Sequence, residues 1–252
     1  MDNFGLYNGI EYADWVSREN LIPEEKYLLS RFLNKIGKTL EAGTAGGRIL
    51  LELRKNGFND LFGFDFVPRF VDEAQKKDAD KCIHFSVQNA VSLNYSSEYF
   101  QQLIYVQQIL CFIEKSKERE RAVLEAFRVL KGGGVALFSF LCIESRNSFF
   151  LYRIFIKYLS FLRYVMGRKT GIQYMPWLKL GGHWNFRAFL DGLPYVYWYK
   201  AQEAQDLLVK NGFKIEKVGT KKQILEDHLL DSVTQIDKNC FTGMIYFVCR
   251  KP

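Results

Sequence analysis

Residues 40–48 read LEAGTAGGR, a run of small residues between the end of a short apolar strand at 39–42 and the start of a helical stretch. Glycines are packed this densely at a strand-to-helix turn when the backbone must come close to another group, because glycine has no Cβ in the way. Such a turn serves a phosphate, a nucleoside or nothing at all. A dinucleotide fingerprint needs G-x-G-x-x-G. Here Gly43 is followed by Ala45 and then Arg48, so two of the three glycines are missing. A Walker loop fails too, since no Gly-Lys-Ser/Thr follows. What the stretch does contain is acidic-x-Gly-x-small-x-Gly: Glu41, Gly43, Ala45 and Gly47.

Strand-like and helical runs alternate on from this turn at the spacing of βα units. ILLELRKNGF is a helix closed by Asn56 and Gly57, LFGFDF (61–66) a second strand, and Pro68 opens the next helix, where proline costs least. IHFSV (83–87) is a third strand and LIYVQQIL (103–110) a fourth, led in by Phe100, Gln101 and Gln102. The helix KSKERERAVLEAFRVL ends at KGGG (131–134), and VALFSFL (135–141) is a fifth strand. After residue 200 the same grammar returns, with the helix KAQEAQDLLVKNGF and strands at 213–220 and 243–249. Strands apolar on both faces and embedded in helices predict an α/β fold: a doubly wound, mainly parallel seven-stranded sheet with helices on both faces. Residues 38–141 and 200–252 form this core, and residues 1–37 a helical cap segment.

Residues 142–199 break the pattern. They hold 16 of the chain's 40 aromatic residues and 8 basic against 2 acidic side chains. An inserted cap subdomain, helical and aromatic, that covers the substrate explains them. Its longest apolar run, FFLYRIFIKYLSFLRYVM (149–166), carries Arg153, Lys157 and Arg163. Three cations are costly in hydrocarbon but can stay wet on one flank of an amphipathic helix.

With Asp65 ending the second strand, the Glu41–Gly47 pattern resembles the class I, Rossmann-like S-adenosylmethionine-dependent methyltransferases, and within them the small-molecule branch. FRVLKGGG (127–134) is similar to that family's approach to strand five. The resemblance implies S-adenosyl-L-methionine as cofactor, leaving as S-adenosyl-L-homocysteine. It also implies roles: Gly43, Thr44 and Ala45 beneath the methionine part, Glu41 at its amino group or ordering the loop, Gly47 at the helix start. Asp65 would accept from the ribose hydroxyls, Phe66 or Val67 lie against adenine, and Asn89 and Ala90 face the adenine amino group, with Gln107 alongside. A carboxylate suits two hydroxyls, because charge-assisted hydrogen bonds are about twice as strong as neutral ones. Two departures stand out: Ala45 replaces the middle glycine, so its methyl calls for a backbone conformation open to other residues, and strand four lacks the usual Phe-Asp. Tyr105-Val106-Gln107-Gln108 stands where DNA- and protein-amine branches carry Asn-Pro-Pro-Tyr.

For the acceptor, Gln108 is an orienting group, and His183 in GGHWNF is the candidate general base or positioning group. Trp184, Tyr195 and Tyr199 are candidate pocket walls, and the N-terminal segment from Tyr7 to Leu33, with Tyr12 and Trp15, is expected to close the same site from the other side. Basic residues interleaved with aromatics admit a small hydrophobic or acidic acceptor first, RNA second, and contact with a membrane surface as an accessory. A non-catalytic cofactor-binding protein is the reading from another class. Five cysteines, Cys82, Cys111, Cys142, Cys240 and Cys249, are odd in number and form no Cys-x-x-Cys pair, which argues against a disulfide framework and a structural zinc site and for a reducing, cytoplasmic setting; no metal is expected. The N-terminal MDNFGLYNGIEYADW lacks the features of a signal peptide.

Overall fold

The computed structural model describes residues 3–237 and 241–252, so Cys240 lies outside the described residues. Seven strands build one sheet: β1 (Thr39–Ala42), β2 (Leu61–Asp65), β3 (Ile83–Val87), β4 (Phe100–Tyr105), β5 (Leu130–Leu141), β6 (Lys214–Thr220) and β7 (Met244–Arg250). Their order is β6-β7-β5-β4-β1-β2-β3, and β7 alone runs against the rest. The expected α/β, mainly parallel seven-stranded class is what the chain adopts.

The period of two along each strand sorts side chains onto two faces. Ala136, Phe138 and Phe140 of β5 share one core with Phe247 of β7, Ala122 and Ala126 of helix α6 (Ser116–Val129) and Leu208 of α9 (Ala201–Lys210). Val135 and Leu137 face the other way, into a core completed by α3 (Pro23–Phe32), α4 (Arg48–Lys55) and α5 (Pro68–Lys77). In α4 the buried residues Ile49, Leu50 and Leu53 form one stripe at helical spacing.

Two strands differ from the sequence reading by more than one residue at an end. The fourth strand starts at Phe100 and ends at Tyr105 rather than spanning 103–110, because Gln107 and Gln108 both turn into the left-handed region, at φ +60° and +63°. The polar lead-in is sheet because Gln102 is satisfied there: its amide donates to Asn34 O (2.7 Å) and Thr39 Oγ1 (2.8 Å), and its carbonyl accepts from Asn34 N. KGGG (131–134) is strand rather than helix terminus, since β5 begins at Leu130 and pairs with Phe100 across a register shift.

The chain leaves the sheet at Cys142 and rejoins it at Tyr199, where the two residues bridge in parallel. Between them lie α7 (Ile143–Asn147), α8 (Phe150–Val165), two small antiparallel pairs and the 3-10 turn Phe186–Leu190. Among the described residues no helix is long and apolar enough to cross a membrane. The three cations of α8 do not share a wet flank: Arg153 and Lys157 are exposed, but Arg163 is buried. Its guanidinium donates twice to the Asp191 carboxylate, at 2.9 and 2.6 Å, and to the carbonyls of Gly171 and Tyr174.

Candidate active site

β1 and β4 are neighbours from which the chain departs to opposite sides, the place where an open parallel sheet leaves a crevice at its carboxyl edge. The turn after β1 shapes the floor of that crevice. Gly43 sits at φ +62°, in the left-handed region that favours glycine, and a Cβ built there would push the tip of the Ile109 side chain aside. Ala45 does not avoid the glycine conformation, as its side chain had suggested; it adopts it, at φ +46°. Gly47, at φ +79°, caps α4.

The floor carries two buried carboxylates. Asp65, 4 % exposed, accepts from Ala45 N and Val67 N, both at 3.0 Å. Burial pushes its carboxyl up to about 6, against the opposing pull of these backbone bonds. The two oxygens offer about four lone-pair sites against the backbone bonds of Val67, Ala45 and Phe66, so the carboxylate retains acceptor capacity. Glu41 accepts from Thr44 Oγ1 at 2.7 Å, and burial pushes its carboxyl up to about 8. Beneath the loop, Arg48 grips both oxygens of buried Glu25 at 2.6 Å, and Gln107 donates to the same Glu25. This clamp fastens α3 to the loop.

Above the floor is a cavity of about 400 Å³. Of the residues singled out in the sequence, Gly43, Ala45, Asp65, Phe66, Asn89, Ala90, Gln107 and Trp15 line it. Glu41, Thr44, Gly47 and Val67 lie behind the wall as its support. Gln108 turns away, its backbone N–H donating to Ser139 Oγ and its amide to Met244 Sδ. Tyr12 stacks on Phe70 with Arg69 over its other face, Tyr199 is buried in the sheet core, and Tyr195 donates to Asp191 O. His183 and Trp184 are exposed on the strand pair they make with Lys179–Leu180, off the cavity wall. That pair meets the rest of the molecule through Gly181 N, which donates to Glu11 Oε1.

The N-terminal segment supplies part of the wall, and the turn after β4 adds more that no local pattern announced. Tyr7 on α1 (Asn3–Asn8) is the hub: the rings of Trp15, Phe66, Phe70, Phe112 and Trp177 stand edge-on or tilted around it at 5.6–6.5 Å. Its hydroxyl is buried with no hydrogen-bond partner among the described residues. Burial, then the charges of Glu11 and Asp65, hold that hydroxyl neutral by raising its pKa far above the usual range. Phe112 and Ile113 follow the left-handed glutamines, and Arg119 fixes their segment by donating to Ile113 O and Glu114 O.

A glycine cradle at the carboxyl edge of β1, joined to a cation-free buried carboxylate at the end of β2, is a donor and acceptor set for a nucleoside. Residues 40–138 match the family of methyltransferase domains. Residues 40–138 thus carry a methyltransferase domain, and the fold around them is that of the S-adenosylmethionine-dependent methyltransferases. A methyltransferase from Methanosarcina mazei has the same fold, with a TM-score of 0.65 at 20 % identity over 92 % of this chain and 98 % of that one. So does a protein from Thermotoga maritima described as a possible histamine N-methyltransferase, with a TM-score of 0.60 at 19 % identity over 99 % of both chains. A Mesorhizobium loti methyltransferase aligns at 14 % identity and a TM-score of 0.56 over 90 % of this chain and 97 % of that one. No curated protein sequence matches the chain significantly. A methyltransferase domain implies S-adenosylmethionine as cofactor, and the residues fit it: Gly43 and Ala45 bring bare backbone to the cavity wall, and Asp65 stands beside them with acceptor capacity. Among the described residues no group of histidine, cysteine, aspartate or glutamate could hold a metal.

Proposed function

We propose that this methyltransferase acts on a small, apolar acceptor seated against Tyr7 and Phe112. The observation that carries this reading is the ring cluster around Tyr7, which roofs the glycine cradle with apolar surface and a single unpartnered hydroxyl. The cofactor supplies an electrophilic methyl sulfonium, and the chain's residues do the rest. Gly43 and Ala45 support its methionine end, Asp65 accepts from the ribose hydroxyls, and Phe66, Asn89 and Ala90 border the base. Tyr7 offers its hydroxyl as the polar handle that aligns the acceptor, while the rings exclude water. Of the two acceptor classes the sequence admitted, the acidic one loses support, because Asp65, Glu114 and Glu118 line the cavity against one cation, Lys115. The cations of the insertion lie off the cavity, which weighs against RNA. Four unpaired thiols, Cys82, Cys111, Cys142 and Cys249, support a cytoplasmic setting.

The test is methyl transfer from labelled S-adenosylmethionine to a panel of phenols, thiols, carboxylic acids and an RNA transcript, read by mass spectrometry. Transfer to a neutral apolar member is expected. Tyr7→Phe should raise the acceptor's KM about tenfold, with S-adenosylhomocysteine affinity unchanged. Transfer to RNA alone, weakening steeply with salt, would overturn the reading.

A further inference from the structure

One face of α8 is left largely bare by the described residues. Phe150, Leu151, Ile154, Phe161, Tyr164 and Val165 are all at least half exposed, Tyr164 at 82 % and Leu151 at 77 %. At about 100° per residue they occupy an arc of about 140°. Lys157 lies within that arc and Arg153 beside it, both exposed. Leu159 and Arg163, on the opposite side, are buried, and Arg163 ties the helix to Asp191. The face is thus held by a rigid helix. Tyr158 binds the next turn, donating to Phe189 O at 2.7 Å, and that turn adds the exposed side chains of Phe186 and Leu190.

We infer that this face docks on an anionic lipid surface, an interaction that goes beyond the acceptor chemistry. Charge selects the partner. Between Ser145 and Tyr199 the sequence holds one acid, Asp191, which is buried and paired, whereas Arg153, Lys157, Arg168, Lys169, Lys179 and Arg187 are exposed. A second copy would meet this face with the same face across a two-fold axis, setting cation against cation with no acid to relieve them. RNA offers stacking to the aromatics but nothing to Leu151, Ile154 and Val165. Acyl chains take the aliphatic and aromatic side chains together, while anionic headgroups take the lysines and arginines. A helix that lies in the interface needs no membrane-spanning length, in keeping with the size of α8.

Sedimentation of the full chain with vesicles tests this without any turnover, so its failure leaves the small-acceptor reading standing. The chain is expected to bind vesicles of phosphatidylcholine with phosphatidylglycerol, to bind phosphatidylcholine alone more weakly, and to be released by salt. Leu151→Glu with Phe161→Glu should lower partitioning at least about tenfold, and Lys157→Gln about fivefold, with S-adenosylhomocysteine affinity unchanged in both. Absence of binding to anionic vesicles would overturn the inference. So would a dimer in light scattering that the double variant dissolves, or binding of single-stranded RNA in place of vesicles.

Discussion

Two regions of the molecule bury carboxylates and treat them in opposite ways. In the insertion, Asp191 has two guanidinia, Arg163 at 2.6 Å and Arg168 at 2.9 Å. Burial raises its pKa, but the hydrogen bonds and charge of those arginines outweigh that and hold it below the usual carboxylate range. At the glycine turn, Asp65 on the cavity wall and Glu41 behind it accept only from backbone N–H groups and a threonine hydroxyl, and burial lifts them to about 6 and about 8. A buried acid that is paired by its own chain is a piece of scaffold. A buried acid with no cation hydrogen-bonded to it costs stability, and of the two only Asp65 stands on the cavity wall, where it can accept from a ligand.

The largest effect expected lies on the paired side. Asp191→Ala strands two guanidinia and should lower the unfolding free energy by about 3–5 kcal/mol in urea titration, with S-adenosylhomocysteine affinity unchanged. A much smaller loss would break the contrast by showing that the pair supports nothing. Glu41→Gln should do the reverse and stabilise the protein by about 2–3 kcal/mol at neutral pH. The folded carboxyl titrates at about 8 against an ordinary 4.5, so its cost is absent below the lower value and builds as pH rises towards the higher. The variant's advantage should therefore vanish in acid. A pH-independent difference would show that Glu41 is not held protonated.

Asp65→Ala should weaken S-adenosylhomocysteine binding by about 1.5–3 kcal/mol in calorimetry. Wild-type affinity should also fall as pH drops through about 6, where the carboxylate gains a proton and loses acceptor capacity, while the alanine variant shows no such dependence. The smallest change concerns the loop between the two floor acids. Ala45→Gly relieves a left-handed alanine but adds freedom to the unfolded chain, so a net gain of about 0.5 kcal/mol is expected in thermal unfolding. A loss there would mean the methyl group packs usefully against the floor.

The floor was legible in the sequence because it is local. Glu41, Gly43 and Gly47 sit within one turn, and Asp65 ends the next strand, so spacing alone brings them to one edge of a parallel sheet. The roof was legible only in part: the segment that carries Tyr7 and Trp15 was expected to close the site, but not the place of Tyr7 at the centre of the rings, nor Phe112. Tyr7 reaches the cavity from α1, and Phe112 from a turn set by two left-handed glutamines that read as strand. Glu25 meets Arg48 from a helix before the sheet begins. His183 stood out as a histidine among glycines and aromatics, yet the strand pair that carries it faces solvent. Arg163 looked like part of a wet flank because its partner, Asp191, lies 28 residues on.

By itself the sequence determined the sheet, the glycine turn and the acid at the end of the second strand, since hydrophobic period and backbone freedom act over a few neighbouring residues. Tertiary structure alone decided which aromatics roof the cavity, which buried acid has a cation and which face of α8 is left bare. Those depend on contacts between distant segments, and no short stretch of sequence records the partner that burial will supply.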